Sequence, residues 1–196
     1  MKPEVEIEAY VLAGGKSSRM GKDKGLVLFN GQPMISYVLK ALGETGIPFN
    51  IIANNEGYEK FGHPVYPDLV VDKGPMGGLL TAFSNTKAKA VLLMSCDMPL
   101  VNCEAIKQLI DKTKNNQIIA PTEEGRVNPL FALYPLSLKQ EVERRITDGR
   151  LKMTDLILEN KHTLVPSIVC ENPGIFRNVN NEEELKMTEK QWSNLK

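Results

Sequence analysis

Two stretches of this chain are apolar without alternation. They are Ala9-Tyr10-Val11-Leu12 and Ala90-Val91-Leu92-Leu93-Met94, the second closed by Ser95. A strand that is apolar at every residue has no solvent face, so it must lie inside a sheet covered on both sides. Each run stops at a polar break: Ala13-Gly14-Gly15 after the first, Cys96-Asp97-Met98-Pro99 after the second. Between them the spacing turns helical. Pro33 opens a segment with Met34, Ile35, Val38, Leu39 and Leu42 on one face. Helices are also expected from Gly74 to about Ser84, from an Asn102 cap through Ile106, Leu109 and Ile110, along Leu138, Val142 and Ile146, over Met153 to Leu158, and from Asn181 onward. Further strands are expected at Phe49 to Ala53, Gln117 to Ala120, Leu130 to Tyr134 and near Leu164 to Val169. This alternation predicts one α/β domain over residues 1–196 with a mostly parallel sheet.

Composition removes other classes. The 196 residues can bury roughly 70% of their unfolded surface, enough for a core without disulfides or metal. Lys and Arg total 24 and so do Asp and Glu, giving zero net charge. With no run of five or more Lys/Arg, a nucleic-acid partner drawn by a basic field is not expected. No apolar run nears the ~20 residues of a membrane span, and the acidic start MKPEVEIEAY is not a secretory signal. The odd set Cys96, Cys103 and Cys170, without CxxC spacing, points to a reducing, cytoplasmic location and no zinc site. His63 and His162 are the only histidines, which disfavours His-based catalysis. The bland assignments are a solvated His63, a solvated basic face of Arg144, Arg145, Arg150 and Lys152, and a Trp192 that docks or frays in a polar tail.

In an open α/β sheet, ligands bind outside the carboxyl ends of the strands. The first strand ends in a loop carrying Gly14, Gly15, Arg19, Lys22 and Lys24. Glycines let backbone N–H groups approach an anion, and Arg grips phosphate through paired donors. The loop is not a Walker motif: five residues separate Gly15 from Gly21, and Asp23 follows Lys22. Nor is it a GxGxxG fingerprint, because Gly14 and Gly15 are adjacent. On residues alone it is either a polyphosphate cradle or a glycine turn with solvated lysines. Asp97, Asp72 and Asn54 also follow strands or precede helices, where turn or cap roles compete with ligand contact.

Leu12 to Leu26, LAGGKSSRMGKDKGL, resembles the LAGGxSxRMGxDKxL signature of the molybdenum cofactor guanylyltransferases, the MobA family. The likeness continues in order through Ala53-Asn54, Asp72-Lys73-Gly74-Pro75-Met76-Gly77-Gly78, Cys96-Asp97-Met98-Pro99, Asn128-Pro129-Leu130-Phe131-Ala132-Leu133-Tyr134 and the stretch from Phe176 to Leu185. Departures are Asn128, where the family has His, and Asn181, where it has Thr. The resemblance implies a Rossmann-like three-layer nucleotidyltransferase fold, with a GTP-binding N-terminal half and an acceptor-binding C-terminal half. It implies transfer of GMP from GTP to the phosphate of molybdenum-loaded molybdopterin. Catalytic roles fall to Arg19, Lys24 and Asp97, with Asp97 holding Mg²⁺. Nucleotide contacts fall to Leu12, Ala13, Gly14, Gly15, Arg19, Lys24, Asn54, Asp72 and Asp97, and acceptor contacts to Asn128, Asn178 and Asn180. A carboxylate at Asp72 could accept from guanine N1–H and N2–H. Gly15 favours guanine within this family. Cofactor-delivery proteins are conceivable partners. The sequence leaves open a cytidylyl, cobinamide-phosphate or sugar-phosphate nucleotidyltransferase, or a non-catalytic GTP-binding regulator.

Overall fold

The computed structural model describes residues 6–14, 23–113, 116–166 and 174–194. Its sheet grows outward from β1 (Ile7–Leu12), which lies between β4 (Phe49–Ile52) and β6 (Ala90–Ser95) and runs parallel to both. β5 (Val65–Tyr66) extends the β4 side in the same direction. On the β6 side, β9 (Phe131–Pro135) pairs antiparallel with both β6 and β7 (Ile118–Glu123), and β10 (His162–Pro166) pairs parallel with β7. The order is β10-β7-β9-β6-β1-β4-β5. β8 (Arg126–Val127) turns back on β7, and a small ribbon of β2 (Leu28–Phe29) with β3 (Gln32–Pro33) stands apart. Among the described strands of this sheet, only β8 and β9 oppose the common direction, so it is mostly parallel.

The continuous apolar runs behave as their composition requires. Every residue of β6 is buried, and Ala9, Tyr10 and Val11 of β1 are fully so. Successive side chains feed opposite cores. Leu92 and Met94 join Val11 on one face, beneath α1 (Met34–Gly43) and α3 (Cys103–Asp111). Val91 and Leu93 join Tyr10 on the other, beneath α2 (Gly74–Asn85), α4 (Lys139–Thr147) and α5 (Met153–Leu158). The result is three layers, helices–sheet–helices, the arrangement expected from the sequence. Each fully buried Leu or Ile contributes roughly 1.5–3 kcal/mol relative to exposure.

The polar caps are local. Asn102 Oδ1 accepts from the Ala105 N–H at 2.9 Å, and Asn181 Oδ1 from the Glu184 N–H at 2.9 Å, starting α3 and α6 (Glu182–Ser193). The end of α6 docks rather than frays: the Trp192 ring meets Tyr37 at 5.2 Å and Phe29 at 6.0 Å, both edge-on. Arg145 departs from its expected solvated face. It is 2% exposed, and its guanidinium meets Glu141 Oε1 and Glu159 Oε2, each at 2.7 Å. A buried guanidinium is tolerated because two carboxylates offset its lost hydration. His63 is only half-exposed and lies 4.3 Å from the Phe49 ring.

Candidate functional site

The parallel register brings three strand ends together, with Leu12 beside Ile52 of β4 and Ser95 of β6. A cleft of about 310 Å³ opens there, floored by Leu12, Ala13 and Gly14 and walled by Lys24, Asp68 and Asp97. Two glycines make the approach possible. Gly14 takes φ +85°, a left-handed conformation that costs it no Cβ clash. Gly78 lets α2 lie against the end of β1, since a Cβ there would collide with the Leu12 side chain.

Asp97 is 5% exposed just past the end of β6. Its Oδ1 accepts from the Ser95 hydroxyl at 2.6 Å, and its Oδ2 faces Lys24 Nζ at 3.3 Å. The ammonium also donates to Asn180 Oδ1 at 2.6 Å. Asn180 comes from the far end of the chain, and two bonds hold that segment here. The Val179 N–H donates to the Asp97 carbonyl at 2.9 Å, and the Asn180 N–H to Glu184 Oε2 at 2.6 Å. Lys24, Asp97 and Asn180 thus form one cluster, in which two hard oxygen acceptors converge on a cation. Among the described residues no group of three or more His, Cys, Asp or Glu could hold a metal. A divalent ion would therefore rest on Asp97, the Asn180 oxygen and a ligand's own oxygens, the sparse protein donor set that magnesium accepts beside phosphates.

The opposite wall carries a second pair. Asn54 Nδ2 donates to Asp68 Oδ2, and the Asp68 N–H returns a bond to Asn54 Oδ1, both at 2.9 Å. Burial pushes the Asp68 carboxyl pKa up, and the Asn54 amide partly offsets that. Asp72, expected to touch the nucleotide, is exposed with φ +58° and does not line this cleft; Asp68, earlier on the same loop, does. Nothing in the spacing of the two aspartates distinguishes them. Ser95 and Asp23 were also missed, although a polar residue closing an apolar strand and an Asp beside the site lysine are visible signals. Gly15 and Arg19 lie outside the described residues.

Asn128 and Asn178 stand elsewhere, on a larger open cleft of about 770 Å³ shared with Arg126 and Arg177. Asn128 Oδ1 accepts from the Leu130 N–H at 3.1 Å, fixing the turn into β9. Leu130 lines the first cleft and Asn128 the second, so the turn into β9 borders both. Of the expected acceptor residues, Asn128 and Asn178 are brought together, whereas Asn180 joins Lys24 and Asp97.

A glycine turn, a lysine and a buried aspartate thus meet at the carboxyl ends of parallel strands, where open α/β sheets bind their ligands. The comparisons give the family. Residues 9–163 match the MobA-like NTP transferase domain, and the chain belongs to that family. It is 34% identical over 180 residues to a probable molybdenum cofactor guanylyltransferase of Flavobacterium johnsoniae, covering 91% of this chain and 94% of that one. It is 33% identical over 190 residues to the molybdenum cofactor guanylyltransferase of Haemophilus influenzae, covering 94% and 98%. In fold it matches a molybdopterin-guanine dinucleotide biosynthesis protein A from Archaeoglobus fulgidus, with TM-score 0.81 at 24% identity, covering 95% and 99%. No helix among the described residues is long and apolar enough to cross a membrane.

Proposed function

We propose that this protein transfers GMP from GTP to the phosphate of molybdenum-loaded molybdopterin, forming the guanine dinucleotide cofactor and releasing pyrophosphate. The observation that carries this is the Lys24–Asp97–Asn180 cluster at the ends of β1 and β6, in a chain a third identical to relatives named for this reaction. An oxygen of the acceptor phosphate attacks the α-phosphorus of GTP, forming a P–O bond. The bond from that phosphorus to the α–β bridging oxygen breaks, and pyrophosphate departs with the electron pair. The attacking oxygen is already an anion, so no activated Ser or Cys is required. The work is positioning and charge stabilisation.

In this reading Leu12, Ala13, Gly14 and Gly15 offer backbone to the triphosphate, and Arg19 and Lys24 neutralise it. Asp97, with Asn180 beside it, would hold Mg²⁺. When bound, the ion neutralises charge on the phosphate oxygens. Asp68 takes the base-reading role first expected of Asp72: its carboxylate accepts from guanine N1–H and N2–H, steadied by Asn54. Cytosine presents no such donor pair on that edge. Asn128 and Asn178 receive the acceptor in the larger cleft of the C-terminal half, while GTP rests mainly on the N-terminal half, with Asn180 reaching in from the other. The reduced Cys96 and Cys103 fit the cytoplasm, where a delivery protein could present the pterin. Titration of GTP and CTP against the Mg²⁺-loaded protein by calorimetry tests the base assignment. GTP binding at least tenfold tighter supports it, and a preference for CTP removes it.

A further inference from the structure

Asp23 closes the loop that Gly14 opens, and its carboxylate is gripped from two directions. From its own turn, the Gly25 N–H donates to Oδ1 at 3.3 Å. From the segment after β4, Asn55 Nδ2 donates to Oδ2 at 3.2 Å and the Tyr58 hydroxyl donates to Oδ1. Tyr58 is fully buried on the 3₁₀ turn Glu56–Phe61, which Asn55 caps through the Gly57 N–H at 2.8 Å. Burial above all, with Cys96 and Asp23 nearby, raises the pKa of this hydroxyl far beyond the working range, so it stays a donor.

Gly14 lies close to the same carboxylate: a Cβ on it would stand 3.6 Å from Asp23 Oδ2. Gly25 is pressed closer still: a Cβ there would stand 2.5 Å from Tyr58 Oη and 3.2 Å from Cys96 Sγ. Lys24 lies between Asp23 and Gly25, on the 3₁₀ turn Lys24–Leu26 that Asp23 caps. Asp23 Oδ1, which accepts from the Tyr58 hydroxyl, also accepts from the Gly25 N–H, so both backbone neighbours of Lys24 are tied to one carboxylate oxygen. Tyr58 itself does not line the cleft.

We infer that Tyr58 is a positioning residue: through Asp23 and Gly25 its hydroxyl sets where Lys24 stands beside Asp97. The inference rests on the reading of Lys24 as a phosphate-binding group. Tyr58→Phe keeps the ring against Phe61 and deletes only the donor to a carboxylate, an interaction stronger than a neutral hydrogen bond. It acts through Lys24, so its kinetic effect must vanish where Lys24 is already gone.

The test combines amide exchange with a double-mutant cycle on the full chain. Tyr58→Phe should speed exchange of the Gly25 amide by about tenfold, with α1 and β6 protection unchanged. It should lower kcat/KM for GTP about tenfold in the parent, and by less than about twofold in a Lys24→Met background. An equal loss in both backgrounds, a uniform rise in exchange across the fold, or unchanged Gly25 exchange would each overturn the inference. Should the parent transfer no nucleotide, the functional reading fails, and the Gly25 exchange still decides whether Tyr58 anchors the turn.

Discussion

Asn180 Oδ1 accepts a hydrogen bond from Lys24 Nζ at 2.6 Å, so a residue just ahead of the final helix completes a site begun at the first strand. The bond makes Asn180 part of the Lys24–Asp97 cluster, not of the larger cleft where Asn128 stands. Alanine at each should therefore fail differently. Asn180→Ala is expected to lower kcat about tenfold or more with little change in the acceptor KM. Asn128→Ala should raise the acceptor KM and leave the GTP KM within about twofold. Steady-state kinetics with each substrate varied in turn reads both.

Asp97 carries the heaviest expectation. Asp97→Asn keeps an oxygen for the Ser95 hydroxyl and removes the charge opposite Lys24. Pyrophosphate release should fall on the order of 10²–10³-fold, while the melting temperature moves by only a few degrees. A variant retaining half the parent rate would take Asp97 out of the chemistry.

Asp68 gives a pH signature. Burial raises its folded pKa, with the Asn54 amide opposing. A folded pKa above the unfolded one means that the native state binds the proton more tightly. The stabilising contribution is then present in acid, below the ordinary carboxylate pKa, and is lost as pH rises through the folded value. At neutral pH the ionised Asp68 is a cost. Asp68→Asn should raise the apo melting temperature at pH 7, with the gain vanishing below about pH 4, and should weaken GTP binding. A gain that persists in acid would contradict the assignment.

The buried Arg145 is structural and should behave so. Burial pushes the Glu141 pKa up, but hydrogen bonds from Arg144 and Arg145 and their charge hold it lower than usual. Here the sign is opposite: the contribution is present above the ordinary carboxylate pKa and is lost as pH falls. Arg145→Ala should lower the melting temperature by roughly 5–10 °C at pH 7. The difference from the parent should shrink in acid, and nucleotide kinetics should be unchanged.

The layers were legible because residues 9–12 of β1 and 90–94 of β6 are apolar without interruption, as strands of a sheet covered on both sides are. The caps at Asn102 and Asn181 were legible because they are local chemistry. Strand direction was not. β9 runs antiparallel after the hairpin of β7 and β8, whose turn holds Glu124 at φ +49° and Gly125 at φ +76°. A glutamate at the first left-handed position lacks the Asn-Gly signal that marks such turns. The site divides the same way. Gly14, Lys24 and Asp97 stand out as residue types at strand ends. Asp68, Tyr58 and the Asn180 contact depend on distant segments meeting, which spacing does not encode. Arg145 was misplaced for the same reason, since its Glu159 partner follows a different helix.

GTP labelled at the α-phosphate tests the central claim most directly. Incubated with Mg²⁺, this protein and molybdopterin-loaded acceptor, the label should appear in a pterin–guanine dinucleotide, with one pyrophosphate released per dinucleotide formed. Labelled CTP should transfer little. Equal transfer from CTP, or label that never leaves GTP while the acceptor is intact and present, would contradict the account.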